Sequence, residues 1–513
     1  MSGSAAAAPA APAAASAAGP AVLAIDIGTS GTRLSAFDAD GALLITRSVS
    51  YAVEAPAPGW AEQDPAAWWN AVCALGPQVM TALDGRPLAA VCVSGQAPSC
   101  VAIDRAGDVL RPAILWLDRR ASSEAAWFAA ELGEARCERV GGNRLDGYFG
   151  GLKWRWFRAH EPGLFARTWK ILQANGYVSW RLTGVVATDA SQAGLCSPAF
   201  DLEAGTWDEA LCRDMGIPAE LLPEIRPAAS VIGLIRHDAA DATGLPAGTP
   251  VVCGAGDFAC AALGAGVVAP GTAALMLGTA GNLLLPGSTS RDTRLMHTRH
   301  VHGERLVLGG VLAGGNLGWL ASLFGGSSEA LFARANAAAA EVAPGADGLL
   351  YLPYLAGERS PVWDPEARGA YVGLTLAHGQ AHLYRAMLEG IGFAFRQVAE
   401  IAGVLGAQGA VALGGIVAID GGARSALWRS ILASVLGVPV RWGTDRAGTG
   451  LGAGYLAALG AGLVDGFAGI GAWVSPADQV LPDPAAAERY DRLYPVYAGL
   501  YPALREGLHA TDR

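Results

Sequence analysis

The segment IDIGTSGTRL at 25–34 returns about half a chain later as LMLGTAGNLL at 275–284. Each copy reads as an apolar strand, a tight turn of Gly, Thr and Ser or Ala, and a second strand. With 69 glycines in 513 residues, Gly-Thr turns also recur by composition alone. The shared strand-turn-strand order favours a duplicated β-hairpin in two similar domains that face one cleft. The length fits, since at about 150 residues per domain the chain holds two to four.

The rest of the pattern agrees. AVLAIDIG (21–28), RLSAFDA and ALLITRSVSYAV, joined through Asp40-Gly41, form an antiparallel meander. PLAAVCVSG (87–95) and PVVCGAG (250–256) are buried strands, with helical segments at 64–83, 119–135 and 151–160. A second series begins after Pro270: strands at 272–278, 281–285 and 304–312, then helices at 316–324, 328–342, 380–405 and 423–436. Strands interleaved with helices predict an α/β fold. Hydrophobic residues make up 52% and charged residues 16%, which excludes a disordered or fibrous chain. A net charge of −10 leaves no diffuse cationic surface for nucleic acid or anionic lipid. Eight cysteines without a C-x-x-C pair read as reduced thiols of a cytoplasmic protein. Residues 1–20, almost all Ala, Pro, Ser and Gly, read as a disordered tail and not as a signal or anchor. The apolar run from Cys260 to Pro286 is broken by Pro270 and by glycines, so no membrane span is expected.

A Gly-Thr-Ser turn leaves backbone N–H groups pointing one way, a nest for phosphate oxygens. In the first copy the hydroxyls of Thr29, Ser30 and Thr32 are candidate extra donors. Asp26, at the end of its strand, is placed to hold Mg²⁺ through water. Two such loops would grip a nucleotide polyphosphate from both sides. Rival motifs fail: neither lysine, Lys153 or Lys170, stands in a Gly-Lys-Ser/Thr loop. The run Gly254-x-Gly256-x-x-Ala259 lacks the acid about 20 residues on that a dinucleotide site needs. Asp257, after a buried strand and two glycines, either caps the next helix or accepts a proton from a hydroxyl attacking a γ-phosphate. His297, His300 and His302 have no matching cluster of other ligands and read as hydrogen-bonded imidazoles.

Taken together, these segments resemble the FGGY carbohydrate kinase family, nearest in pattern to its xylulokinase branch, over about residues 21–490. The resemblance rests on IDIGTS (25–30), GWAEQDP (59–65), SGQ (94–96), WLDRR (116–120), TDAS (188–191), GAGD (254–257), LGTAG (277–281), LPYLAGERSP (352–361), the stretch 369–390 and GGARSALW (421–428), in that order. It implies two ribonuclease H-like domains, as in actin, hexokinase and Hsp70, with a catalytic cleft between them. The expected division is a sugar-binding N-terminal domain at 21–268, an ATP-binding C-terminal domain at 269–500 and a tail at 501–513.

The resemblance further implies ATP with Mg²⁺, a sugar hydroxyl as acceptor, and a protein with room for a homodimer. By position, Asp257 matches the family's catalytic base and Asp26 its magnesium-linked aspartate. Gly28 lies in the first phosphate loop, Gly278 and Thr279 in the second, with Gly314 near the nucleotide and Gly422 and Ser425 on the adenosine side. Gln96, Ala97, Pro98, Trp116, Arg120 and Phe258 are the expected sugar neighbours beside Asp257. Two departures bear on the sugar: Ala97-Pro98-Ser99 replaces the family's Met-His-Gly, and Phe258 stands where Asn or Gln is usual. Gly150 is a third, replacing Pro, Ser or Thr ahead of Lys153. The expectation is an ATP-dependent kinase of a small neutral sugar, a ketopentose such as D-xylulose first. Another ketose, a polyol or a sugar acid is the alternative, and a non-catalytic sugar sensor the reading from another class.

Overall fold

The computed structural model describes residues 19–326, 328–405, 412–442, 448–474 and 478–510. Residues 1–18 of the expected tail lie outside the described residues.

In the first half, the apolar run Ala21–Ile27 forms β1, the hairpin continues into β2 (Gly31–Phe37), and β3 (Leu43–Ser50) completes the meander. Helix α1 (Pro65–Leu83) starts where the Asp64 carboxylate accepts from Ala66 N and Pro65 presets the first turn. After it come β4 (Leu88–Gly95), α2 (Gly150–His160), α3 (Ala174–Thr183), β5 (Val231–Leu234), β6 (Pro250–Gly256) and α4 (Asp257–Gly264). The sheet order is β5-β6-β4-β1-β2-β3. β1 runs antiparallel to β2 and parallel to β4, and β4 runs parallel to β6. Because β1 and β4 are covered on both faces, their sequences are nearly continuous apolar runs.

The second half repeats this plan. β7 (Thr272–Leu277), β8 (Ala280–Pro286), β9 (Met296–Arg299) and β10 (Arg305–Leu312) precede α5 (Gly314–Leu323), α6 (Glu329–Ala340) and α7 (Gln380–Ile401). Then come β11 (Gly415–Ile419), α8 (Ala426–Leu436), β12 (Val440–Trp442), α9 (Thr449–Gly460), β13 (Gln479–Val480) and α10 (Pro484–Ala510). The order β9-β10-β8-β7-β11-β12-β13 places β7 antiparallel to β8 and parallel to β11. β7 and β8 thus hold the places of β1 and β2, and the internal echo is a structural repeat.

Three expectations change. Helix α9 packs on β1, β4 and α4, so Leu451, Tyr455 and Leu456 join the core of Val22, Phe37 and Cys92. The stretch expected as a second domain, 269–500, therefore lends a helix to the first sheet. Residues 501–510 are not a tail: they are the last turns of α10, where Tyr501 OH donates to Asp364 (2.5 Å). The helix expected at 119–135 breaks into a 3-10 turn (Arg120–Ser123), one α-turn (Glu124–Trp127) and a π-turn (Phe128–Gly133). The Asp118 carboxylate pins its start, pairing with the Arg120 guanidinium (2.7 Å) and accepting from Arg120 N (2.9 Å). Among the described residues no helix is long and apolar enough to cross a membrane.

Candidate active site

The first loop closes with Gly28 N donating to Gly31 O (2.9 Å). Glycine is required at 31, since a Cβ would stand 2.5 Å from Val49 O. The hydroxyls behave differently from expectation. Thr29 Oγ1 donates to Gln96 Oε1 (3.1 Å) and accepts from Trp116 Nε1 (3.0 Å). Tyr51 OH donates to Gly28 O (2.8 Å), so its contact with Thr32 Oγ1 (3.2 Å) must take the threonine's proton. Both threonine protons are therefore committed inside the protein, and Thr32 is buried. Ser30 remains exposed, and the N–H groups of Thr29 and Ser30 have no acceptor among the described residues. What the turn leaves open is backbone N–H and one serine, not three hydroxyls.

In the second loop Gly278 and Thr279 lie at the β7–β8 turn, with Thr279 exposed. Gly314 N donates to Gly278 O (2.9 Å) and Gly315 N to Thr279 O (3.0 Å), so the start of α5 rests on the loop. A Cβ at Gly314 would lie 2.6 Å from Gly278 O, which explains the glycine. The third loop comes directly after β11. Gly422 sits under Trp428, with room for no Cβ (2.6 Å to the ring). The Ser425 hydroxyl caps α8, accepting from Trp428 N (3.1 Å) and donating to Asn336 Oδ1 (2.6 Å); it is not a free donor.

A cleft of about 580 Å³ has Asp26, Arg33, Asp420 and Thr449 among its walls. Asp420 acts on Asp26, and both act on Asp257. Burial raises the Asp26 carboxyl to about 6, against the opposing pull of the Ser94 hydroxyl (3.0 Å) and of Arg33, with repulsion from Asp420 adding to the rise. Burial, then repulsion from Asp26 and from Asp420, lifts Asp257 to about 7, although Phe258 N donates to its Oδ1 (2.7 Å). Asp257 opens α4 as its first residue rather than capping it, Gly256 being the cap. A partly protonated carboxyl at neutral pH is suited to exchange a proton with a hydroxyl. Asp420, raised mainly by burial, was not picked out from the sequence. Its backbone sits at φ 72°, a strained region for a residue with a side chain. The signal available was an acid heading the glycine pair of the third loop.

Deeper in, Gln96 is fixed by Gln63 (2.9 Å), which also donates to Thr29 O (2.7 Å). Ala97, Pro98 and Phe258 are buried beside it, and Ala97 O accepts from Tyr148 OH (3.2 Å). Trp116 opens onto a second cavity of about 430 Å³, together with Arg119, Asp146, Ala280, Arg359 and Trp363. Arg120 does not reach it. Its guanidinium binds Asp118 (2.7 Å) and Glu62 (2.7 Å) and lies 3.5 Å over the Trp60 ring, fully packed inside the first half. The arginine at the cavity is its neighbour Arg119, bound to Asp146 (2.9 Å). Lys153 Nζ, pushed down to about 7 by burial, donates to the carbonyls of Asp118 (3.0 Å) and Gly147 and ties these loops together. His297 and His300 each bond a backbone carbonyl, of Asp292 (2.9 Å) and Val267 (3.1 Å).

The arrangement is two glycine turns, one from each repeat, a cleft with Asp26 and Asp420 in its walls, and a second cavity lined by Trp116 and Trp363. Two family models cover nearly all of it. The N-terminal domain of the FGGY family of carbohydrate kinases matches residues 21–264, and its C-terminal domain matches 266–461. A xylulose kinase of Escherichia coli (strain K12) is 33% identical over 451 residues, 86% of this chain and 90% of that protein. The crystal structure of a xylulose kinase from Rhodospirillum rubrum superposes with a TM-score of 0.86 at 35% identity, covering 95% of this chain and 100% of that one. A gluconate kinase from Lactobacillus acidophilus gives a TM-score of 0.88 at 26% identity, over 94% and 98%. These matches agree with the repeat topology of the two sheets in assigning a two-domain, ribonuclease H-like fold of the actin and hexokinase class.

Proposed function

The chain belongs to the FGGY family of carbohydrate kinases, and on that premise we propose that the hydroxyl it phosphorylates is that of a ketopentose, xylulose first. It is an ATP-dependent carbohydrate kinase. The support for the mechanism is Asp257, a carboxyl lifted to about 7 that feels the charge of Asp26 at the cleft and whose own charge is felt by Tyr148, packed on Trp116 of the aromatic cavity. In the proposed step the acceptor oxygen attacks the γ-phosphorus, its proton passes to the Asp257 carboxylate, and ADP leaves. The loops at Gly28–Ser30 and Gly278–Thr279 orient the phosphates with backbone N–H groups, and Gly422 brings its loop against the adenosine. Such positioning is most of what phosphoryl transfer asks of a protein.

The donor chemistry fits Mg²⁺. Asp26 and Asp257 present hard carboxylate oxygens, and no group of three or more ligating side chains gathers among the described residues. That suits an ion held by one or two carboxylates, water and phosphate oxygens. Asp26 would hold it through water. When bound, the ion neutralises charge on the transferring phosphoryl group.

Relatives named as xylulose kinases support the ketopentose. The two arginines at the cavity, Arg119 and Arg359, together with the gluconate kinase likeness, favour a sugar acid as the second reading. Seven buried, unpaired cysteines and a half-buried eighth support a reducing, cytoplasmic setting. A homodimer is part of the same proposal and is read by light scattering. The test is ADP release with Mg-ATP against ketopentoses, ketohexoses, polyols, glycerol and sugar acids. Xylulose should rank first, and Asp257→Ala should lose about 100-fold or more in kcat. A flat response to every acceptor would leave a sugar sensor, and near-normal turnover by the variant would remove Asp257 from its role.

A further inference from the structure

We propose that Arg359, a residue of the second repeat, reads the acceptor sugar, so that both halves of the molecule recognise it at once. The inference rests on the kinase reading above and adds a residue that the phosphate and base assignments leave unused. LPYLAGERSP is a prominent motif of the sequence, yet none of its side chains belongs to the phosphate loops.

The geometry places Arg359 across the cleft from its own half. Its guanidinium lies 5.0 Å over the Tyr148 ring and 5.6 Å over Trp116, both from the first repeat. Those rings are tied to the acceptor end of the site: Tyr148 OH donates to Ala97 O, and Trp116 Nε1 to Thr29. Tyr148 also feels the Asp257 charge. Arg359 therefore lines the cavity of about 430 Å³, which Tyr148 links to Asp257. Ring faces for C–H groups and a planar fork for paired oxygens are what a sugar pocket needs.

Its donors are largely uncommitted. Apart from Tyr148, its side chain meets the weak acceptor Met296 Sδ, at 3.7 Å. The nearest acids are otherwise engaged. Asp146 takes Arg119 (2.9 Å), Trp363 Nε1 (3.0 Å) and Tyr148 N (2.7 Å). Glu358 accepts from Leu312 N (2.9 Å) and Arg359 N (3.0 Å). The N–H groups that Tyr148 and Met296 do not take thus face a cavity whose acids, Asp146 and Glu358, make no hydrogen bond to the Arg359 fork among the described residues.

The loop that carries Arg359 is braced. Glu358 and Asp364 bridge its ends, and Asp364 is clamped from behind by Tyr501 (2.5 Å), Arg505 (3.1 Å) and His509 (2.9 Å) of α10. Trp363, at φ 48°, is held in a conformation rare for a bulky residue while its indole bonds Asp146 of the other half. A braced loop sets a side chain precisely enough to select a ligand.

The test uses the full chain with Arg359→Met and Arg359→Lys. KM and kcat are measured for sugar and for ATP, and sugar binding without ATP is measured by calorimetry. The sugar is xylulose, or, if the wild type does not use xylulose, the acceptor from the screen that it does use. Arg359→Met should raise the sugar KM and Kd together by about 10- to 100-fold, with the KM for ATP within about threefold. Arg359→Lys keeps the charge without the fork and should stay at least about tenfold weak. Wild-type sugar Kd in Arg359→Met, or full recovery in Arg359→Lys, would overturn the proposal. An unchanged ATP KM certifies the fold, and should the methionine variant not fold, the lysine variant decides. Failure of xylulose in the wild type would overturn the acceptor reading alone.

Discussion

Replacing Asp257 by asparagine should stabilise the sugar-free protein, and increasingly so as pH rises. The carboxyl stands at about 7 in the fold against 3.8 for an ordinary aspartate. With the folded value above the unfolded one, its contribution to stability is complete when the group is protonated below about pH 4. That contribution disappears as pH climbs through 7, because ionisation then opposes burial and the neighbouring Asp26. At about 1.4 kcal/mol per pH unit the whole effect has a ceiling of about 4 kcal/mol. The part falling between pH 5 and 8 is about 2–3 kcal/mol, and solvent reaching the carboxyl from the cleft brings it to about 2. Asparagine has nearly the shape of the protonated acid and never ionises.

Urea unfolding of both proteins at pH 5 and pH 8, in low salt and without nucleotide, reads the difference. The advantage of Asp257→Asn over wild type should widen by about 2 kcal/mol from the lower to the higher pH. In an Asp26→Asn background the widening should shrink, because one of the repelling charges is gone. A difference that stays constant or narrows with pH would refute the reasoning. Stability given up at an ionised carboxyl is the cost of keeping a base in the cleft.

The same site sets three further outcomes. The rate kcat/KM should fall below about pH 7 as Asp257 protonates, and Asp420→Asn should move that limb to lower pH by removing a repelling charge; a pH–rate profile of each protein checks both. Asp420→Gly should raise thermal stability by about 1 kcal/mol as the strain at φ 72° is relieved; calorimetric melting measures it. Gly314→Ala forces a Cβ to within 2.6 Å of Gly278 O and should raise the KM for ATP by about tenfold or more through displacement of the second loop, as steady-state kinetics would read.

The duplicated hairpin was legible because it is local: a strand pattern and glycine turn lie within ten residues. The same holds for Asp26 and Asp257, each placed at a strand's end by its own neighbours. Hydroxyl roles were not legible. Whether Thr29 donates to a phosphate or to Gln96 depends on Gln96 and Trp116, brought in from 67 and 87 residues away. The Arg119-Arg120 pair shows the limit within a motif. Two adjacent arginines look alike in sequence, but Asp118 folds back on Arg120 two positions on, and Glu62 completes its cage. Burial then sends Arg120 inward and its neighbour toward the cavity. The return of α9 to the first core carries no local signal at all, because an all-apolar helix suits either sheet.

Duplication supplies two cradles but would by itself give a symmetric site, and phosphoryl transfer is not symmetric. The asymmetry enters at the C-terminal end of one parallel strand in each sheet. After β6 the chain turns into α4 with Asp257 at its head, and after β11 it turns through Asp420 and the glycines that meet Trp428. One repeat thus ends in a carboxyl at the head of a helix, and the other in an acid followed by glycines, one of them packed on an indole. Arg33, on the first repeat, draws down both Asp26 and Asp420, one acid from each half. Asp26 keeps Arg33 as its register partner on the first sheet whatever the halves do, whereas opening the cleft would take Asp420 away from that cation. The pull between halves is therefore electrostatic at Arg33 and runs through Asp146 and Trp363 at the aromatic cavity, so that in the proposed reading each substrate would sit beside its own inter-lobe tie.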